Sequence, residues 1–215
     1  MNIKDFNRIP AELKKCIPVQ TKGRYSDTCS SLELKDLNNP DIAFKSIKNR
    51  LLDVNNWAHY ATLTDADFIL LDRHGYRLDR LAEEGDFMKV RFSKVQKIID
   101  AQHDFVHVRS ISAIPSIFGD AVVMQLQPAH NPARSGSEVD HFFTGDASNT
   151  LILYRTESEI ILSVHGRNEQ PNLKVSKISK KVRNVLFATL GVLAVSKVQW
   201  KTLSHGLLNY NEKLL

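Results

Sequence analysis

The sequence predicts an α+β fold, a curved antiparallel β-sheet wrapped around a long C-terminal α-helix. Three observations carry this. Short apolar or alternating stretches recur between residues 68 and 165, bounded by Pro, Gly, Asn or Asp. One amphipathic stretch, beginning at Pro40, precedes them, and a proline-free run with apolar residues at helical spacing, from about Ser176 to Leu208, follows them. Strands grouped together with helices segregated from them mark an α+β domain, and a sheet that curves around one long helix can enclose a cavity.

The elements follow in order. Pro10, Pro18, Gly23 and Pro40 interrupt the first forty residues, leaving a short helix from Ala11 to Cys16 and a strand from about Ser30 to Leu34. Residues 1–30 form an N-terminal extension that packs on the domain or on a neighbour. Pro40 and Asp41 start a helix, and Ile42, Phe44, Ile47, Leu51, Leu52 and Val54 extend its apolar face to about Tyr60. Strands are then expected at 68–71, 86–92, 104–114 and 121–127, with a turn at Asp72 to Gly75 and a loop over 128–140. A hairpin follows, 150–155 and 159–165. The block SVHGRNEQPN (163–172) ends its second strand, with Gly166, Asn168, Pro171 and Asn172 read as turn chemistry. The last helix, 176–208, would be roughly 50 Å long. Its middle, NVLFATLGVLAVS (184–196), is apolar nearly all round, but Arg183 and Lys197 bracket it too closely for a membrane span. It reads as a helix buried against the sheet, with Gly191 allowing close approach.

At 215 residues, with 42% hydrophobic and 25% charged residues, the chain suits one globular domain, 1–215, that needs neither disulfide nor metal to hold a core. Charges and a proline near the start replace the apolar run of a signal peptide, so a cytoplasmic location is expected, with Cys16 and Cys29 as free thiols. The net charge of +5 is dispersed. Its densest cluster, Lys174, Lys177, Lys180, Lys181 and Arg183, scatters around a helix with no stacking aromatics, so nucleic acid is not an expected partner.

This order of elements resembles the START-like helix-grip superfamily, the polyketide cyclase and lipid-transfer group. The residues that carry the resemblance are LLDVNNWAHY (51–60), the strand pairs from Phe68 to Gln127, the hairpin 150–165 and VQWKTLSHGLL (198–208). It covers about residues 30–208. The chain departs from a minimal member in its longer N-terminal segment and longer 128–149 loop. The resemblance implies a cavity between sheet and long helix that takes an apolar or aromatic small molecule. Most members bind and a minority catalyse, and no shared catalytic motif exists to be carried over.

The residues themselves narrow the chemistry. His103 and His107 share a strand face but stand about 13 Å apart, too far to ligate one ion, so no metal is expected. The Gly-x-Ser-x-Gly elbow, the phosphate loop and the dinucleotide fingerprint are all absent, so no nucleotide cofactor is expected. His107, Arg109, His141, Tyr154, His165, Arg167 and Glu169 are candidates for acid–base work if they converge, whereas strict alternation sets them on a solvent side opposite Val106, Val108, Ile152 and Val164.

The expected function is binding of an apolar or amphipathic small molecule between the sheet and the C-terminal helix. Arg167, Asn168 and Glu169 are the expected polar anchors, then His141. Trp57, Tyr60, Phe143 and Trp200 are candidate lining aromatics, and His107, Arg109 and Tyr154 complete the candidate set. Two alternatives stand beside it: a cyclase, dehydratase or hydrolase using His and Arg groups, and a structural protein whose own side chains fill its core.

Overall fold

The computed structural model of the protein describes residues 6–62, 66–92, 104–119, 121–136, 138–172 and 200–210. Among them are seven strands: β1 (Arg24–Glu33), β2 (Ala66–Leu71), β3 (Phe87–Phe92), β4 (Asp104–Ile114), β5 (Ala121–Pro128), β6 (Ser148–Arg155) and β7 (Glu159–Glu169). They form one antiparallel sheet in the order β1-β7-β6-β5-β4-β3-β2. The strands β2 to β7 are a meander, and the first strand closes onto the last. Helices α1 (Ala11–Lys14), α2 (Pro40–Leu52), α3 (Trp57–Tyr60) and α4 (200–208) complete the described elements.

Helix α2 starts where the sequence signals it. Pro40 occupies its first turn, and the Asn39 side chain accepts from the Ile42 N–H at 3.1 Å. Ala43, Ile47 and Leu51, spaced by four, are wholly buried. The helix ends at Leu52 rather than running to Tyr60, because Asp53 leaves the helical region (φ −85°, ψ 68°). The Asp53 carboxylate then accepts from Asn56 Nδ2 (2.9 Å) and Tyr60 Oη (2.6 Å), holding a tight turn over Val54–Asn56. That turn drives Trp57 into the core, where its Nε1 donates to the Leu51 carbonyl at 3.0 Å.

The core lies on both faces of the sheet. The inner face carries Phe68, Leu70, Met88, Val90, Val108, Met124, Leu151, Leu153, Leu162 and Val164, packed against α2, Trp57 and Leu203, Leu207 and Leu208 of α4. Helix α4 is seated by three contacts. Ser204 Oγ meets Ser30 Oγ at 2.8 Å, Lys201 Nζ donates to the Cys29 carbonyl, and Gly206 lets the helix backbone close on Ala61. A Cβ at position 206 would stand 2.2 Å from the Ala61 Cα. A sheet of this order with α2, α3 and α4 on its inner face is an α+β, helix-grip arrangement.

The outer face is covered as well. Cys29, Val123, Ile152, Tyr154 and Ile161 pack under Ile9 and Leu13, with Phe6, Cys16 and Ile17 at the margin. Arg8 pairs with Glu159, and Gln125 Nε2 donates to the Cys16 carbonyl at 2.7 Å. Residues 6–17 of the extension therefore lie against the domain's own sheet. Cys16 and Cys29 are not joined in a disulfide.

Several boundaries differ from those read in the sequence. Strand β1 begins at Arg24, not Ser30, because its polar first half pairs with β7 at the sheet edge. Strand β7 continues to Glu169 through the residues read as a turn, with Arg167 opposite Ser148 and Glu169 opposite Arg24. The turn at Asp72 is as expected, its Oδ1 accepting from the N–H groups of His74 and Tyr76 at 2.8 Å each. Of the expected C-terminal helix, 200–208 is α4, whereas Gly191, the apolar middle and the basic cluster lie outside the described residues, as does His103. No helix among the described residues is long and apolar enough to cross a membrane.

Candidate functional site

The polar residues that the sequence bunches at 163–169 become a site because β7 is buried on both faces. Alternation sends Gly166 inward with Val164 and Leu162, and His165 outward with Ser163 and Ile161. Asn168 then takes a left-handed conformation (φ 56°), and the alternation breaks. Arg167 points to the outer face, whereas the Glu169 carboxylate folds back over Gly166 on the inner one. A Cβ at 166 would be 2.0 Å from Glu169 Oε1 and 2.5 Å from Ser26 Oγ, so any larger residue there would displace the Glu169 carboxylate from Ser26.

On the inner side, Ser26, Gly166 and Asn149 stand side by side on β1, β7 and β6. Ser26 Oγ donates to Glu169 Oε1 at 3.1 Å. Burial pushes the Glu169 carboxyl above its ordinary range, against the opposing pull of Ser26 and Arg167. Thr28 Oγ1 and Asn149 Oδ1 are buried with no hydrogen-bond partner among the described residues. This polar corner adjoins the apolar row Val164, Leu151 and Met124.

On the outer side, Asp27 stands directly opposite His165. His165 Nδ1 lies 2.6 Å from Asp27 Oδ1, and His165 Nε2 lies 3.0 Å from Ser163 Oγ. Arg167 Nη2 reaches the same Asp27 oxygen at 2.9 Å, while Nη1 donates to the Gly166 carbonyl at 2.7 Å and the Ser26 carbonyl at 3.3 Å. Burial alone would raise the Asp27 carboxyl, but His165 and Arg167 outweigh it and hold the group below its usual value. In the neutral tautomer with Nδ1–H donating to Asp27, Nε2 can accept from the Ser163 hydroxyl, whose other acceptor is the Ile152 carbonyl at 3.5 Å. The Phe6 ring meets His165 edge-on at 6.0 Å, and the Arg167 guanidinium lies over both Phe6 and Tyr25. Thr150 Oγ1 and Ser148 Oγ, opposite His165 and Arg167 on β6, are buried without partners.

The other candidate residues divide by place. Asn168 holds the loop that leads into β1: its Oδ1 accepts from the Thr21 N–H (2.8 Å), the Thr21 hydroxyl (3.1 Å) and the Lys22 N–H (3.1 Å), and its Nδ2 donates to Val19 O at 3.1 Å. His141 and Phe143 sit on a strap beside the end of β7, with Phe143 bridged to Pro171. The buried His141 accepts from the Phe143 N–H through Nδ1 at 2.9 Å, and burial drives its imidazole down to about 3. Trp57 is a core residue of the inner face, 5.4 Å from Phe68. His107 is outward, 4.8 Å from Phe87, with burial and Arg109 lowering its imidazole; Arg109 is exposed. Tyr154 is buried on the outer face, its hydroxyl donating to the Arg8 carbonyl at 3.3 Å and its ionisation pushed up by burial. The solvent-side assignment thus fails for Tyr154, His165 and Arg167, which are buried on the outer face, for Glu169, which turns to the inner face, and for His141, which is buried in the strap.

Ser26, Asp27, Thr28, Asn149 and Ser163 escaped the sequence reading. Ser163 and His165 carry a legible signal, since positions i and i+2 of a strand share a face. Asp27 carries none, because only the β1–β7 register brings it to His165. Among the described residues no group of three His, Cys, Asp or Glu side chains is placed to hold a metal.

No family model matches the chain. No curated protein matches it either. Among solved structures, the chain is similar to the crystal structure of Ara h 8.0201, with 12% identity, coverage of 87% of this chain and 100% of that one, and a TM-score of 0.39. It is similar to the crystal structure of ginseng major latex-like protein 151 from Panax ginseng, with 11% identity, 82% and 99% coverage, and a TM-score of 0.36. A solution NMR structure of a Staphylococcus epidermidis protein has 13% identity, 89% and 94% coverage, and a TM-score of 0.34.

Proposed function

We propose that this chain is a START-like helix-grip protein of the cytoplasm that binds an apolar or amphipathic small molecule between the inner face of its sheet and its C-terminal helix. The polar end of the molecule lies at the corner formed by Ser26, Thr28, Asn149 and Glu169. The observation that carries this reading is the pair of buried, unpartnered oxygens, Thr28 Oγ1 and Asn149 Oδ1, beside the buried Glu169 carboxyl. A buried polar group without a partner costs about 1–3 kcal/mol, which a ligand can recover by supplying hydrogen-bond donors. Asn149 Oδ1 accepts only, and Glu169 and Thr28 can accept too, so a hydroxyl or amine head group fits best. The apolar remainder would run along Val164, Leu151 and Met124. No cofactor and no nucleic acid enter this reading.

Native mass spectrometry of the purified protein tests it, followed by thermal-shift titration with long-chain alcohols and amines against matched alkanes. A co-purifying small molecule is expected, together with shifts for alcohols or amines that exceed those for alkanes. Asn149→Leu should weaken that binding at least tenfold while leaving the unliganded protein as stable as before or more so, since it removes an unpartnered acceptor. No co-purifying molecule and no shift across the panel would favour a filled core instead.

A further inference from the structure

The inner-face reading leaves the outer face of β7 without a role. There, Ser163 Oγ, the His165 ring and the Asp27 carboxylate form an unbroken hydrogen-bond chain, 3.0 Å and 2.6 Å long at its two links. Nucleophile, base and orienting carboxylate stand in the order that acyl transfer requires. Arg167 holds the same Asp27 oxygen at 2.9 Å, so the orienting carboxylate is itself fixed.

Two further features point to a ligand. Thr150 Oγ1 and Ser148 Oγ, on the same face and in the same rows as His165 and Arg167, are buried hydroxyls without partners, and each has a proton free for an incoming carbonyl oxygen. The cover over the chain is a short segment of the extension: Phe6, Ile9 and Leu13 lie on Cys29, Ile152, Tyr154 and Ile161, which surround Ser163. Lifting that segment would leave the serine in an apolar floor suited to an acyl chain.

We propose that the outer face of the sheet is an acyl-transfer centre for apolar esters, with Ser163 as nucleophile and His165 as base, held shut by residues 6–17. The Ser163 oxygen forms a bond to the ester carbonyl carbon as its proton passes to His165 Nε2. The ester C–O bond then breaks, and the leaving oxygen takes that proton and departs as the alcohol. Water repeats the sequence on the acylated serine: it gives a proton to His165, the acyl–Ser163 bond breaks, the carboxylic acid leaves and the proton returns to Ser163. Asp27 stays ionised throughout and stabilises the transient imidazolium; it and Arg167 are positioning residues.

The test uses the full chain and a fluorophosphonate bearing a long alkyl chain. Ser163 displaces fluoride from phosphorus with the same proton transfer, and intact-mass analysis with peptide mapping reads the adduct. Wild-type protein should label slowly at Ser163, and Phe6→Ala, which loosens the cover over His165, at least tenfold faster. Ser163→Ala should give no adduct, His165→Gln should slow labelling at least a hundredfold, and the urea-unfolded chain should not label. Hydrolysis of p-nitrophenyl butyrate should follow the same ranking. Absence of a Ser163 adduct in both the wild type and a folded Phe6→Ala after a day would overturn the proposal. So would labelling that His165→Gln leaves unchanged. If Phe6→Ala does not fold, the slow wild-type adduct decides alone, its presence at Ser163 supporting the proposal and its absence rejecting it.

Discussion

His141 should make the fold acid-sensitive in a way that one substitution can isolate. Its ring is buried, and Nδ1 accepts from the Phe143 N–H, so the neutral form is built into the strap and burial lowers its ionisation to about 3 from an ordinary 6.5. A group whose folded pKa is lowered binds fewer protons in the native state, so stability is present at neutral pH and is lost as pH falls below the unfolded value. At 1.36 kcal/mol per unit, the loss relative to neutral pH reaches roughly 2.7 kcal/mol at pH 4.5, and the full shift is worth on the order of 5 kcal/mol. The neighbouring Asp104 has the opposite slope. Burial, with Asp140 nearby, raises its carboxyl to about 7 even though it accepts from the Phe142 N–H, so its contribution to stability falls as pH rises from about 4 towards 7. A difference between two variants cancels that background. Asn at 141 keeps an acceptor two residues before the same N–H, as in an Asx turn, and does not titrate. Urea unfolding of wild type and His141→Asn at pH 7.0 and 4.5 should show the wild type losing roughly 2–3 kcal/mol more than the variant. Equal losses, within about 0.5 kcal/mol, would refute a neutral, buried imidazole as the acid-labile group.

Asn168→Ala should cost roughly 2–4 kcal/mol, because three donors lose their acceptor and alanine is strained at φ 56°. Hydrogen exchange at the Thr21 and Lys22 amides should accelerate beyond the global change, and unchanged exchange there would show that the loop has other support. Gly206→Ala should destabilise by about 1–3 kcal/mol, the reverse of the usual helix preference for alanine, since its Cβ would press on the Ala61 backbone. A urea midpoint that rises instead would show that α4 can shift away.

The fold was legible where periodicity was clean. Met88 and Val90 against Lys89 and Arg91 mark β3, and Ile47, Leu51 and Leu52 mark α2, whereas Ile42, read on the same apolar face, is exposed and Ala43 is buried in its place. Only the end of β7, beyond His165, was misread, because the strand is buried on both faces, which erases the alternation that would have shown Arg167 to continue it. Gly166 and Asn168 look like turn residues, yet each serves the strand in a different way. Glycine makes room for Glu169, and asparagine tolerates the left-handed backbone. Arg167 and Glu169 stood out in the sequence, but the prediction of one shared cavity end could not anticipate that residue 168 sends them to opposite faces. Asp27 was invisible for another reason: pairing partners far apart in the chain leave no local pattern.

The docking of residues 6–33 on β7 sets an order of events during synthesis. Arg8 and Glu159 are 151 residues apart, and Asp27 and His165 are 138 apart. At about 5–20 residues per second, the earliest-made segment waits roughly seven to thirty seconds for the strand it pairs with. Until then β1 has no strand to pair with, Ile9 and Leu13 can meet only the part of their native surface that β5 and β6 supply, and β6 is left as an open edge of the β2 to β6 sheet. Such long-range pairing makes for slow folding and a transient edge open to other chains. On stalled nascent chains, residues 6–33 should therefore remain protease-sensitive until β7 has cleared the ribosome.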